Sequence, residues 1–552
     1  MLVLDLGTDR LDRPWAADRT GWWSAAGRIS PLRHPALEHL AVTTGRATLF
    51  GVRERCPDRP AGASGWLVGA PAPPVVVDDG RWAALLDELA GWPLRTVSVL
   101  VAPAAATVSS GANGIAPLYL VADGTRLRGD WDAGRLYQHL PGGLRPDPVL
   151  AGYFLATFDQ PYSHRTIIDG LRLLTQGCSA RWRAATGQLG FTYPPSQAPP
   201  AVADLRPDAD VPGGVWRCLT STVRRGPWSA VTGSELSSGL DSALVTAAVV
   251  AECRQPPVRS YAVRLSGPAG DRQQARRLEL VRQFGTVDTP LSSMGLEPFV
   301  PGGIRDRGLA VLPWEDCYLE AFDELLALAA ADGVEVMHTG FGGDELCYHR
   351  RVGDLSYRPP ADDTVPDHLT PLALAALREI GPVAEPAPAA IPMHSALQAA
   401  TISSARYLRR GIWPVFPLTS PDLVRLCARL PWSWRQNRAV TRTMLGRLGV
   451  SGSVANASDS DSFAPVLARG LRRAGPGRLS GLWRDSRLAD LGLLDPVRFQ
   501  AGFARWVASG AVDGTLPYYA AIQLELTLRS LDTAAAPPAP GRTVAAMAAM
   551  AG

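Results

Sequence analysis

The sequence predicts an α/β protein in two parts, a β-rich first half and a second half built on a doubly wound parallel sheet that ends in helices. Two observations carry this. Up to about residue 200, short apolar runs are broken by Gly, Pro and Asp, the pattern of strands joined by turns. Beyond it, short apolar strands alternate with helical stretches, the pattern of a parallel sheet with crossover helices.

In the first half the strand-like runs are 47–52, 96–101, 117–121 and 190–193, and Asp123-Gly124 marks a hairpin between 118–121 and Leu127. A Pro/Ala stretch from Pro194 to Pro212 reads as a linker. The expected division is 1–205, 206–532 and a flexible Ala/Pro-rich tail, 533–552. In the second half the order is strand 229–232, helix 241–252, strand 258–265, helix 272–284, helix 319–331 and strand 334–337. From about 390 the pattern is mainly helical.

Composition narrows the chemistry. All 55 basic residues are arginine, and there is no lysine in the 552 residues. This excludes a Walker A loop, a PLP Schiff base, a lysine-nucleophile aldolase and a kinase with its strand lysine. GC-rich coding is the ordinary explanation, and the 54 Gly and 48 Pro agree with it. A net charge of +3 is too small for a chain of this size to indicate nucleic-acid binding. No apolar run approaches the ~18 residues of a membrane span. Met1-Leu2-Val3-Leu4-Asp5 carries an early acid and no basic segment, unlike a signal peptide. The seven cysteines are scattered and never form C-x-x-C, so free thiols in a reducing cytoplasm are expected, and the histidines show no metal-ligand spacing.

Two segments carry chemistry. Ser237-Ser238-Gly239-Leu240-Asp241-Ser242 follows a strand and runs into a helix, whose first N–H groups and dipole suit an anion. The serines add hydroxyl donors. Asp241 would repel phosphate unless a hard cation such as magnesium lies between them. Alone, the segment reads equally well as a Ser-rich turn. The second segment, His338-Thr339-Gly340-Phe341-Gly342-Gly343-Asp344-Glu345-Leu346, also follows a strand. By itself it reads equally well as a helix cap with acids in the first turn. Both lie beyond carboxyl ends of strands, where open α/β sheets bind ligands. Asp241 and Asp344 are then the expected magnesium ligands.

These residues resemble a known family. Ser237–Ser242 looks like the S-G-G-x-D-S pyrophosphate loop of the asparagine synthetase superfamily, and Thr339–Leu346 like its S-G-E-G-x-D-E-L motif. The 413–431 segment resembles the family's P-F-L-D…L-P stretch, and Arg438-x-x-x-Arg442-x-x-Leu445 a K-x-x-L-R type stretch. Gly129-Asp130-Trp131-Asp132 and the 165–178 stretch resemble the amidotransferase-like N-terminal domain. The resemblance implies an αββα-type first domain and an ATP-pyrophosphatase-type second domain with ATP and magnesium as cofactors. It also implies backbone contacts to the nucleotide at Ala262 and Val263 and an acidic position at Asp271.

The departures select within the family. Glutamine-hydrolysing members carry a cysteine after the initiator methionine, and here the residue is Leu2. The amine is then expected within the substrate itself, as in β-lactam synthetases and lasso peptide cyclases. β-Lactam synthetases use a late lysine and a tyrosine–glutamate pair, whereas this chain has no lysine and carries Phe341 where the family has glutamate. The resulting expectation is a lasso peptide cyclase. Such an enzyme adenylates an Asp or Glu side chain of a ribosomal core peptide and joins it to the peptide's N-terminal amine. Its partners would be a precursor peptide, a leader peptidase and a leader-binding protein, with no nucleic acid and no membrane span. An ammonia-dependent asparagine synthetase, a β-lactam synthetase and a non-catalytic peptide scaffold are the alternatives, the last favoured by Ser238 where the family has glycine. Without lysine, the pyrophosphate clamp falls to arginine, which grips phosphate oxygens but cannot act as a base. Arg438 and Arg442 are the first candidates, then Arg350 and Arg351, beside the expected catalytic acids Asp241, Asp344 and Glu345. Glu315, His338 and Glu379 are base candidates by type and neighbourhood, and the 16 tryptophans suit either a peptide-binding cavity or ordinary core packing.

Overall fold

The computed structural model describes all residues except 10, 59–64, 115–116, 196–199, 230, 307–311, 348–364, 384–393, 458–461 and 535–552. The clamp candidates Arg350 and Arg351 and most of the expected tail lie outside the described residues.

The first half holds two seven-stranded sheets, antiparallel but for the Val75–Val76 edge strand, packed face to face. Alternation decides which side chains meet between them. Leu4, Leu6, Ile29, Leu120 and Leu127 from one sheet share a core with Phe50, Val52, Val97, Val99 and Val108 from the other. Leu2 opens the strand Leu2–Gly7 and is wholly buried there. The strand Thr48–Glu54 is buried at every position, because helix Asp79–Ala90 covers its outer face through Leu85 and Leu89 against Leu49. On the other sheet Tyr119 and Val121 face outward under helix Pro148–Thr157. The layers therefore run helix, sheet, sheet, helix. Asp123 turns the chain between strands Tyr119–Ala122 and Arg126–Asp130, its carboxylate accepting from the backbone of Thr125 and Arg126. That turn lies at the predicted hairpin.

The second half opens with helix Val211–Arg225, capped by Asp210. Its sheet has five parallel strands in the order Val287–Ser292, Arg259–Arg264, Thr232–Glu235, Val336–His338, Trp413–Val415. The chain starts at the centre, steps to one edge and then crosses back to the other side. Its switch point lies between Thr232–Glu235 and Val336–His338. Helix Leu319–Ala331 matches the sequence reading, and helix Leu240–Glu252 begins one residue early. Helix Gly267–Phe284 begins five residues before the predicted start, with proline at its first turn.

Two strand positions are corrected. The first is Thr232–Glu235, not 229–232, and the third segment is Val336–His338, not 334–337. Thr-Gly-Ser-Glu is not an apolar run, but neighbours on both sides bury it. Ser234 finds a partner in Thr246 on the overlying helix at 2.8 Å. The edge strands Val287–Ser292 and Trp413–Val415 were not predicted. The first is only half-buried and polar, and the second is three residues with a central proline, allowed at an edge.

The halves share one core. Helix Pro148–Thr157 packs with residues of helices Pro371–Arg378 and Thr515–Ala534. Asp132, in the Gly129–Asp132 motif, holds Arg409 of the second half at 2.9 and 3.0 Å. Most of the tryptophans are core residues, Trp22, Trp92, Trp182 and Trp413 being among the largest fully buried side chains, whereas Trp23 and Trp432 are exposed. None of the seven cysteines forms a disulfide. Among the described residues no helix is long and apolar enough to cross a membrane.

Candidate active site

The two predicted loops leave the sheet on either side of the switch point and touch. Helix Leu240–Glu252 is buried on most of its circumference, between the sheet and helices Val211–Arg225 and Ala439–Arg447, so its N-terminus is fixed. Gly239 is the N-cap and no side chain caps the helix, which leaves first-turn N–H groups for a ligand. Ser237 and Ser242 do not extend free hydroxyls. Their oxygens are 2.9 Å apart, Ser237 Oγ accepts from Gly239 N, and Ser242 Oγ donates to Gly239 O. They brace the loop, and the backbone is left to face the space beside it. Ser238 is buried and lines the larger of the two cavities there.

The second loop must pass close to the first. A Cβ on Gly343 would lie 2.2 Å from Asp241 Cγ, so any side chain there would displace the carboxylate. Gly342 has φ +94°, a left-handed turn that starts the short helix Gly343–Leu346 and brings Asp344 and Glu345 toward Asp241.

Arg438 lies between the two acids. Its guanidinium is 3.0 Å from Asp241 Oδ2, and its other nitrogen pairs with Asp344. Arg438 and the preceding Asn437 both have left-handed backbone, φ 56° and 50°. Each such residue costs about 1–3 kcal/mol, a strain that collects at functional sites. Here it turns the chain into helix Ala439–Arg447 and aims Arg438 at the acids. Burial raises the Asp241 carboxyl to about 6 against the pull of Arg438, and Glu345 adds to the rise. Arg442 is different. Its guanidinium donates to the carbonyls of Asn437, Ala455 and Ala457 at 2.8, 2.8 and 3.1 Å. It braces the chain that carries Arg438, and only its flank lines the site. The structure thus separates the two arginines that the sequence reading paired as a clamp.

Two adjoining cavities share Ser237, Gly239, Asp344 and Phe463. The first, about 340 Å³, lies between the loops and is lined by Asp241, Ser242, Ala262, Val263, Gly340, Phe341, Gly342, Gly343 and Glu345. Tyr261, Phe322, Leu325 and Phe463 make its apolar wall, large enough for a purine. The second, about 740 Å³, is lined by Ser237 to Leu240, Arg276, Arg438 and Arg442. Phe341 forms one wall of the first cavity and packs against the cluster of Tyr162, Ala400 and Phe416, its ring 6.0 Å from that of Phe416. Through Tyr162 the first half reaches the site. No tryptophan lines either cavity.

The base candidates are not brought to the site. Glu315 is buried and bonded to Arg409 at 3.2 Å. His338 is wholly buried in the sheet, where desolvation lowers it to about 4, and its ring lies near Trp228. Glu379 is exposed at the end of helix Pro371–Arg378, and Asp271 is exposed on helix Gly267–Phe284. The sequence reading missed Glu235, at the carboxyl end of the central strand. It lines the first cavity, accepts a hydrogen bond from the buried Tyr407 hydroxyl, and is raised by burial. The signal was an acid closing a buried strand directly before the Ser loop.

Among the described residues no group of three or more His, Cys, Asp and Glu side chains is arranged to hold a metal. Asp241 and Asp344 nevertheless offer the donors magnesium takes when substrate phosphates complete its shell, one or two carboxylates. In this structure Arg438 offsets part of their charge.

No curated protein matches the chain. Residues 219–413 match the family described as asparagine synthase, a segment from the first helix of the second half to the last strand of its sheet, with both loops inside it. That match supports placing this part of the chain in the asparagine synthetase superfamily, whose members are ATP-dependent ligases that form amide bonds.

Proposed function

We propose that the chain is a lasso peptide cyclase, an AMP-forming macrolactam synthetase. The observation that carries this reading is Phe341. Where an acid would face the nucleotide, an aromatic ring closes the cavity and continues into the apolar cluster with Tyr162 and Phe416. Such a wall suits an apolar peptide segment better than aspartate and ammonia. The wholly buried Leu2 and the absence of lysine point the same way.

In the proposed reaction, ATP places its base against Tyr261, Phe322 and Phe463 and its phosphates at the N-terminus of helix Leu240–Glu252. An Asp or Glu side-chain oxygen of the peptide attacks the α-phosphorus, and the bond to the β-phosphate oxygen breaks. Pyrophosphate leaves, its growing charge met by the helix N–H groups and Arg438. Magnesium, held by Asp241 and Asp344, would supply further charge neutralisation there. The peptide's N-terminal amine then attacks the acyl carbon, AMP leaves, and the amide closes the ring. The amine must lose a proton, and Glu235 is the carboxylate in this cavity that stands outside the two loops. Holding the amine against the activated side chain supplies much of the rate.

The test is incubation of a leader-free core peptide with ATP and magnesium. Loss of one water from the peptide with equimolar AMP and pyrophosphate is expected. Asparagine formed from aspartate, ATP and ammonia, with the peptide unchanged, would replace this reading by an ammonia-dependent synthetase. Absence of ATP binding would replace it by a peptide scaffold.

A further inference from the structure

The inward stripe of helix Gly267–Phe284 is Gly270, Gln273, Arg277 and Leu280, the spacing of a helix laid on a sheet. Apolar residues are the rule on such a stripe, yet an amide and a guanidinium occupy its middle, both fully buried. Burying them costs stability unless each finds partners. The partners they find are backbone groups where the sheet opens into the site. Gln273 accepts from Leu265 N at 2.8 Å and donates to Val263 O at 3.3 Å, at the carboxyl end of strand Arg259–Arg264. Gly270 lets the helix come this close, since a Cβ there would lie 2.0 Å from Leu265 O. Arg277 reaches one strand further. Its Nε donates at 2.6 Å to the carbonyl of Leu236, whose own N–H donates to Tyr261 O at 2.9 Å. The next residue, Ser237, begins the loop. The other end of the guanidinium pairs with Asp288 on the edge strand Val287–Ser292, and Asp288 also accepts from Ser260 Oγ at 3.1 Å. Burial pulls Arg277 below the usual range of a guanidinium, and Asp288 opposes that pull. One buried cation thus ties the far edge of the sheet to the root of the Ser237–Ser242 loop. No side chain caps helix Leu240–Glu252, so the direction of its first N–H groups depends on how the loop is held from behind.

We propose that Arg277 is a positioning residue for the phosphate-binding loop: held by Asp288, it anchors the Leu236 carbonyl and so aims the loop's N–H groups at the phosphates of ATP. This rests on the ATP-dependent reading of the site but not on the identity of the peptide. The fork of the guanidinium is what the role requires, because Nε serves Leu236 while a second nitrogen serves Asp288. A single ammonium on a flexible stem can satisfy one of them and leaves the other.

The experiment is calorimetric titration of the full chain, without peptide, with magnesium pyrophosphate and separately with AMP. Arg277→Lys keeps the charge beside Asp288 but loses the fork. It is expected to weaken pyrophosphate binding by about tenfold while AMP affinity, set by the apolar wall of the smaller cavity, stays at the parent's value. Asp288→Asn, which keeps an acceptor and removes the charge, is expected to give a smaller loss of the same selectivity. Melting curves close to the parent's identify folded variants, and if Arg277→Lys does not fold, Asp288→Asn decides alone. Pyrophosphate affinity equal to the parent's would overturn the proposal, and so would an equal loss for both ligands, which would make Arg277 a packing residue of the sheet. If the parent binds neither ligand, the ATP-dependent reading falls and the proposal with it. If the selective loss is found but no peptide ring closes, Arg277 keeps its role and only the cyclase reading falls.

Discussion

In the first half, Arg53 lies wholly buried between Glu38 and Glu88, at 2.5 and 2.7 Å, with its guanidinium 3.8 and 3.5 Å from the rings of Trp66 and Trp92. In the second half, Arg438 also bridges two acids, but it is about a third exposed, sits on strained backbone and lines the larger cavity. The same three-charge arrangement is structural in one place and poised for a ligand in the other. Sheet geometry separates them. Arg53 lies on the outer face of its sheet, where helix Asp79–Ala90, which carries Glu88, covers it and leaves the buried charges only each other. A parallel sheet with a switch point sends two loops apart at the ends of neighbouring strands, and the space between remains open.

Five substitutions would break or sharpen this contrast. The largest expected effect is on stability in the first half. Arg53→Ala leaves Glu38 buried without its partner, a loss of about 3–5 kcal/mol in denaturant titration. Any folded protein should keep its ATP affinity. A drop in ATP affinity at unchanged stability would show that the first half shapes the site more than its closed packing suggests.

Next comes the site itself. Asp241→Ala and Arg438→Ala should each lower pyrophosphate release by about 10²-fold or more, with stability changed little. Arg438→Ala that lowers peptide binding and adenylation equally would assign Arg438 to packing. Arg442→Ala should act differently. It frees three carbonyls near 437 and 455–457, so a stability loss of about 1–3 kcal/mol should accompany a smaller loss of adenylation.

The smallest effect is in pH dependence. The Asp241 carboxyl is raised to about 6 from an ordinary value near 4. Between these limits the folded protein holds the proton more tightly than the unfolded chain. This group therefore makes stability fall as pH rises through that window. Function runs the opposite way, because only the carboxylate pairs with a cation. Adenylation should rise through about pH 6, and Asp241→Asn should remove that limb at the cost of most activity. An acid limb unchanged in Asp241→Asn would assign it to another group.

Much of the site was legible because it depends on short, contiguous segments. Ser237–Ser242 and Gly340–Glu345 could be read as strand-to-helix loops from residue type alone, since free helix N–H groups, close glycines and acids are local features. Gly343 shows why the spacing is strict: its missing Cβ is the space that Asp241 fills. Helices with strong periodicity, such as Leu319–Ala331, were legible for the same local reason.

What the linear pattern did not carry are the pairings made by distant residues. Arg438 and Arg442 lie four positions apart and look alike in sequence, yet one reaches Asp241 and Asp344 while the other turns back to Ala455 and Ala457. Left-handed backbone at Asn437 and Arg438 makes that choice, and no propensity announces it. The central strand Thr232–Glu235 is polar and was displaced in the reading because its burial comes from neighbouring strands and an overlying helix. Local chemistry, then, is written in the sequence: the absence of lysine, the two loops and the arginine-only cations. Which arginine meets which carboxylate, and that Phe341 joins the nucleotide cavity to Tyr162 of the other half, is decided only when the sheet brings its strand ends together. Those contacts join residues far apart in the chain, 197 positions for Arg438 and Asp241, and their energy depends on distance in space rather than along the chain.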